Sequence, residues 1–219
     1  MHVFPRASLN IFHVAAVLAL VGAACNKDDV AAPASFIADN FNRTNQTPIA
    51  GNWTTAPVNP GWQALALVSN QVVPTNAAAD GEAYYSAMIW PDDQYSKAKL
   101  YVTGTGGAAQ GIGLLVRQSA SAVTHYRLVV DHASSGNVAL GKHVAGTYTN
   151  LATVTQSWTD GAVWELRVTG TKLQIFLNGT QVGADVTDNS IASGSAGIVY
   201  SSTETSAAID DWEGGQVAN

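Results

Sequence analysis

"WELRVTGTKLQIFLNGTQV", Trp164 to Val182, decides the fold. Trp164, Leu166 and Val168 alternate with Glu165 and Arg167. Leu173, Ile175 and Leu177 alternate with Gln174 and Phe176. Side chains on a strand point to opposite faces in turn, so a period of two marks a half-buried strand. Gly170 breaks the run once. Asn178-Gly179 breaks it again, as a two-residue hairpin turn that needs positive φ at both positions. The stretch therefore reads as three antiparallel strands in a meander.

The same period recurs on both sides. In "YSKAKLYVTG", Ala98, Leu100 and Val102 oppose Lys97, Lys99 and Tyr101. In "GIGLLVRQ", Ile112, Leu114 and Val116 oppose Gly113, Leu115 and Arg117. In "THYRLVVDH", Tyr126, Leu128 and Val130 oppose His125, Arg127, Val129 and Asp131. "SSGN", Ser134–Asn137, separates that run from "VALGKHV". No stretch after the first 24 residues has helical periodicity. Prolines stop at Pro91, so the chain beyond it can hold long strands. Short strands with turns at regular spacing predict an all-β, antiparallel two-sheet sandwich or barrel.

The first residues have a different character. Residues 1–24 read as a signal peptide, with Arg6 in a basic start, an apolar run over 11–21, then Gly22, Ala23 and Ala24. That run is too short to span a bilayer, which takes roughly 20 residues. Cys25, the chain's single cysteine, sits at the cleavage position and has no disulfide partner. "VGAAC" resembles the lipobox of bacterial lipoproteins, which makes Cys25 the lipidation point. Gly22 departs from the aliphatic residue usual there. Residues 25–34 are then a flexible tether, and 35–219 one domain. The resemblance implies an exported, membrane-anchored lipoprotein or cell-surface protein, held to the membrane through its N-terminal lipid only.

Without residues 1–24, nine Lys and Arg face sixteen Asp and Glu. An acidic domain has no electrostatic footprint for nucleic acid.

In order, "GLLVRQS", "HYRLVVD", "NVALGKHVAGT", "WELRVTGTKLQIFLNGTQV", "SGSAGIVY" and "AIDDWEGG" resemble the concanavalin A-like lectin/glucanase jelly rolls, of the LamG-like type. "DNFNRT" and "NWT" fit the opening of such a domain. The resemblance covers about residues 36–215 and implies a two-sheet antiparallel jelly-roll β-sandwich. Its first and last strands are neighbours, bringing Ala38–Phe41 beside Ile209–Trp212. It also implies a concave sheet where relatives bind glycans or cleave them. Fold alone confers neither activity.

The residues weigh against cleavage. Glucanases of this fold carry Glu-x-Asp-x-Glu on one strand, and no such run exists here. Asp80 and Glu82 are two apart, but Gly81 and the Ala-rich segment before it read as a loop and strand entry. A lyase reading would use Arg117, His125 and Arg127, with the two on one strand sharing a face. The lyase motif is missing, since "QVV" at Gln71–Val73 ends in Val where His is required. His125 and His132 lack zinc spacing. "TGTGGAAQGIG", Thr103–Gly113, lacks the ending of a phosphate loop.

Glycan binding needs aromatic rings for sugar faces and a few polar groups for hydroxyls. The candidate binding residues are Trp90, Tyr95, Arg117, His125 and Arg127. Trp164 and Trp212 read as core; Trp53, Trp62, Trp90 and Trp158 lie in turn-rich segments that leave exposure open, while packing at a sandwich end is the commoner role for any one of them. No cofactor is required. A structural calcium is the one ion the resemblance admits, with Asp39, Asp210 and Asp211 as its ligands. The expected function is a surface-anchored, non-catalytic carbohydrate-binding module with a polysaccharide or glycan as partner. The alternatives are a glycan-cleaving enzyme and a structural or adhesive surface protein.

Overall fold

The structure is a computed structural model that describes residues 36–56, 61–76, 79–102, 111–131, 137–201 and 207–218. The signal, Cys25 and the tether lie outside the described residues.

Five short strands come first: β1 (Phe36–Asp39), β2 (Trp53–Thr55), β3 (Leu65–Val68), β4 (Gln71–Pro74) and β5 (Gly81–Tyr85). Ten longer ones follow. They are β6 (Gln94–Val102), β7 (Gly111–Gln118), β8 (His125–Asp131), β9 (Asn137–Val144), β10 (Thr147–Thr155), β11 (Ala162–Thr169), β12 (Lys172–Leu177), β13 (Thr180–Thr187), β14 (Ser195–Ser201) and β15 (Ala207–Gln216). The change of length falls where the prolines stop. Proline donates no ladder hydrogen bond, so the proline-rich part supports only short pairings.

Two antiparallel sheets form. One runs β13-β12-β11-β6-β15-β4-β3, with β1 also on β15. The other runs β10-β9-β8-β7-β14-β5-β2. Trp164–Val182 is the predicted meander, with Trp164 opposite Leu177 and Leu177 opposite Thr180. Its Asn178-Gly179 turn has φ of 48° and 81°. The terminal strands meet as expected, Asp39 opposite Trp212.

The alternating apolar faces pack between the sheets. Ala98, Leu100, Trp164, Leu166, Val168 and Leu173 come from one sheet. Ile112, Leu114, Val116, Tyr126, Leu128 and Val130 come from the other. At one end Trp212 stacks on Tyr85 at 5.5 Å and meets Trp53 edge-on at 4.7 Å. Trp53 is only 5 % exposed and packs at this end of the sandwich despite its turn-rich surroundings. Its indole N–H donates to Asp39, so the short β2 is pinned from the core side.

One polar stitch crosses the core. Trp212 Nε1 donates to Ser96 Oγ at 2.9 Å, and Ser96 Oγ donates to the Gly197 carbonyl of the opposite sheet at 2.7 Å. Buried polar groups are tolerated when each finds a partner, and this chain of bonds ties β15 and β6 to β14.

The outer face of the seven-stranded sheet is not a solvated polar face. Leu115, Val129 and Val199 form a second buried apolar cluster on it. β7 is buried along its whole length.

Candidate functional site

On that outer face, β5, β8 and β9 bring titratable side chains together. Glu82, on β5, is 1 % exposed, and His125, on β8, is fully buried. Their strands are separated by β7 and β14, yet His125 Nε2 lies 3.1 Å from Glu82 Oε1. Strands lie about 4.8 Å apart, so a sheet curved toward this face permits the meeting. The intervening strands present Gly113 and Gly197 on this side, opposite Val199 and Leu115.

Register supplies the next residues. His143 of β9 is opposite His125, and the rings stack at 4.9 Å. Tyr148 of β10 is opposite His143, with ring centroids 5.3 Å apart. Arg127 lies one alternation along from His125, and its guanidinium sits 5.0 Å over the Tyr148 ring. That spacing suits a cation–π contact. Arg127 also lies 3.8 Å from Asp80, and Nη2 donates to Ser201 at 3.3 Å. Trp62 meets His143 edge-on at 5.7 Å. Gly141 makes room for Tyr148, since a Cβ there would fall 2.6 Å from its ring.

Burial sets the charges. It pushes the Glu82 carboxyl well above the usual carboxylate range, with Arg127 opposing and Asp80 reinforcing. It also pushes His125 well below the usual imidazole range, helped by His143 and Arg127. His143 is lowered to about 4 by burial and then by Arg127. Burial therefore favours the uncharged forms of Glu82 and of both histidines.

Most of these groups lack hydrogen-bond partners. Both Glu82 oxygens, both His125 nitrogens, Arg127 Nη1 and His143 Nδ1 are buried without a well-formed hydrogen bond, the nearest approach being Glu82 Oε1 to His125 Nε2. A buried polar group left unpaired costs about 1–3 kcal/mol. These atoms concentrate unmet hydrogen-bonding capacity on one face of the sheet.

The sequence candidates divide. His125 and Arg127 are in this cluster. Arg117 is not, although alternation puts it on the same side of β7. Its φ is +55°, and the β7–β14 register shifts between Ser195 and Gly197. This bulge turns the side chain to the sandwich end. There Nε donates to the Asp92 carbonyl, Nη1 to that of Ile191 and Nη2 to that of Gly170. Arg117 forms one wall of an open cavity of about 530 Å³, with Asp92, Asp93, Asn189 and Gln216.

Trp90 packs against the core, edge-on to Trp212, and donates to the Tyr85 carbonyl. Tyr95 is on β6 in the opposite sheet and donates to Glu213. Its hydroxyl is held above its usual range by burial and by that carboxylate.

Asp39, Asp210 and Asp211 are not gathered into one ligand set. Asp39 takes two hydrogen bonds from Arg43, one from Trp53 and one from the Phe41 amide. Asp211 pairs with Lys99 at 2.6 Å, and Asp210 accepts from the Asp211 amide. Among the described residues, no group of three or more His, Cys, Asp or Glu is placed to hold a metal.

His143 and Tyr148 were not marked by the sequence; Asp80 and Glu82 were weighed only as a catalytic pair and set aside, and Trp62 only as a tryptophan in a turn-rich segment. One signal was there: alternation in "NVALGKHV" puts Ala139, Gly141 and His143 on one face. The β8–β9 register that brings His143 to His125 depends on where the intervening loop closes, and no local pattern gives that.

No protein-family model and no curated protein sequence matches the chain. Solved structures do match in fold. Carbohydrate binding module CBM66 from Bacillus subtilis is 18 % identical, with a TM-score of 0.55, covering 75 % of this chain and 92 % of that one. The carbohydrate recognition domain of Emp47p is 15 % identical, with a TM-score of 0.60, covering 84 % and 97 %. The exoplasmic/lumenal domain of VIP36, in a Ca2+/Man3GlcNAc-bound form, is 13 % identical, with a TM-score of 0.57, covering 80 % and 86 %. Glycosidases also share the fold. The class is thus the lectin-like jelly roll.

Proposed function

We propose that this protein is a non-catalytic carbohydrate-binding module, exported and anchored at the cell surface through a lipid on Cys25. Its binding site is the outer face of the seven-stranded sheet. One observation carries the reading: the unbonded polar atoms of Glu82, His125, Arg127 and His143, flanked by Trp62 and Tyr148. Sugar hydroxyls both donate and accept, so they can complete these groups. The aromatic rings offer apolar faces to sugar C–H groups. The fold's carbohydrate-binding relatives add support at the level of architecture. The "VGAAC" stretch and its apolar run support export and lipidation.

A glycan array tests binding, and reducing-end and unsaturated-product assays on each retained glycan test cleavage. Retention without product is the expected result. No retained glycan would overturn the reading. Lipid mass on the mature N-terminus, lost in Cys25→Ser, is the expected sign of anchoring.

A second reading is glycan cleavage. The observation favouring it is the buried Glu82 acid 3.1 Å from neutral His125, a pair able to give and take a proton. Product released by the protein and abolished in His125→Ala would establish it in place of the first.

A further inference from the structure

The outer-face cluster also constrains the class of sugar, provided that this face is the glycan site proposed above. We propose that it takes a neutral glycan unit with adjacent hydroxyls, in preference to a uronate or a sulfated sugar.

The first ground is charge. Arg127 is the cluster's cation, and Asp80 lies 3.8 Å from its Nη1. The pair is neutral as a whole. Burial keeps Glu82 protonated and both histidines uncharged. An acidic sugar would bring a second anion beside Asp80 in a poorly solvated place, with no further cation from these residues to offset it. A neutral sugar meets no such cost.

The second ground is the kind of atom left unbonded. Arg127 Nη1 only donates. His143 Nδ1 is buried and unbonded. In a neutral imidazole one ring nitrogen donates and the other accepts, so His143 adds either role. His125 and the protonated Glu82 each bring a donor and an acceptor. Donors and acceptors are interleaved, with no run of donors such as a carboxylate or sulfate demands. A hydroxyl is donor and acceptor at once, and a pair of them on neighbouring carbons matches an interleaved set.

The test places neutral hexose and pentose oligosaccharides beside galacturonate and mannuronate oligosaccharides on one surface. Wild-type protein and Asp80→Asn are applied to both sets. Wild type is expected to retain neutral members only. Asp80→Asn leaves Arg127 uncompensated and is expected to improve uronate retention by at least about tenfold, the scale of one charge-assisted hydrogen bond.

Salt dependence gives a reading that needs no variant. Neutral-sugar binding should be unchanged between about 0.1 M and about 1 M salt, where exposed charge attraction is screened out. Wild type that retains uronates as well as or better than neutral sugars would overturn the inference and leave glycan binding standing. Binding that weakens steeply with salt would overturn it too. Retention of neither set by wild type would overturn the binding reading itself, and this inference with it.

Discussion

Arg117 and Arg127 are both buried, on neighbouring strands, and alternation assigns both to the same face. They do opposite things. Arg117 is turned to the sandwich end, where all three of its guanidinium nitrogens reach backbone carbonyls from three separate loops. Arg127 stays on the outer face with Nη1 unbonded, beside the buried Glu82–His125 pair and the unbonded Nδ1 of His143. A satisfied buried arginine holds loops together. An unsatisfied one is a liability to the fold that a ligand can relieve. The comparison puts the proposed binding site in the second region.

The largest effect expected from it is on stability. Arg117→Met strands three carbonyls that now accept from a charged donor, and should cost about 3 kcal/mol by chemical denaturation. Arg127→Met should cost less, about 1 kcal/mol, because Nη1 is unbonded, the Ser201 hydrogen bond is long and Asp80 is left partly solvated. Equal losses would erase the distinction.

Binding should split the other way. Tyr148→Ala removes an aromatic face that is 44 % exposed, and should weaken glycan affinity about tenfold with little change in Tm. Gly141→Ala crowds the same ring and should weaken affinity in the same direction. Trp90→Ala should act mainly on stability, since Trp90 packs on Trp212.

A smaller effect follows from protonation. Burial raises the Glu82 pKa on folding, so its favourable contribution is complete below the unfolded value of about 4.3. It is lost as pH rises through the folded value. Glu82→Gln should therefore match or trail wild type below about pH 4 and gain on it as pH rises toward 8. His143 has the opposite sign. Its pKa is lowered to about 4, so its contribution is present above about 6.5 and lost as pH falls toward 4. A flat difference between Glu82→Gln and wild type across this range would show that Glu82 is not held neutral.

The smallest effect is at Asp188. Burial alone would raise its pKa, but hydrogen bonds from Lys142, the Ser190 backbone and Tyr126 hold it below the usual carboxylate range. Its contribution is present above about 3.9 and fades as pH falls below that value. Asp188→Asn should remove this acid-limb loss while leaving glycan binding intact.

Much of the fold was legible. The period of two in Trp164–Val182 fixed three strands and their inward faces, because burial of one face enforces alternation. The site was legible only in part. His125 and Arg127 stood out because they share a strand face. Arg117 misled because a single positive-φ residue reverses the direction that alternation assigns. His143 was missed, and Glu82 was set aside as part of a loop, because both join His125 through register and sheet curvature. Those depend on strands far apart in the chain. Trp90 and Tyr95 have the right chemistry for sugar stacking, but chemistry does not say which sheet a residue is on. Tyr95 falls in the eight-stranded sheet.

The most direct test of the outer face as the binding site compares wild type and Arg127→Met on one glycan array, with the Tm of each measured alongside. Wild type should retain glycan, and the variant should lose it while its Tm stays within a few degrees of wild type. Undiminished retention by a folded Arg127→Met variant would contradict the account.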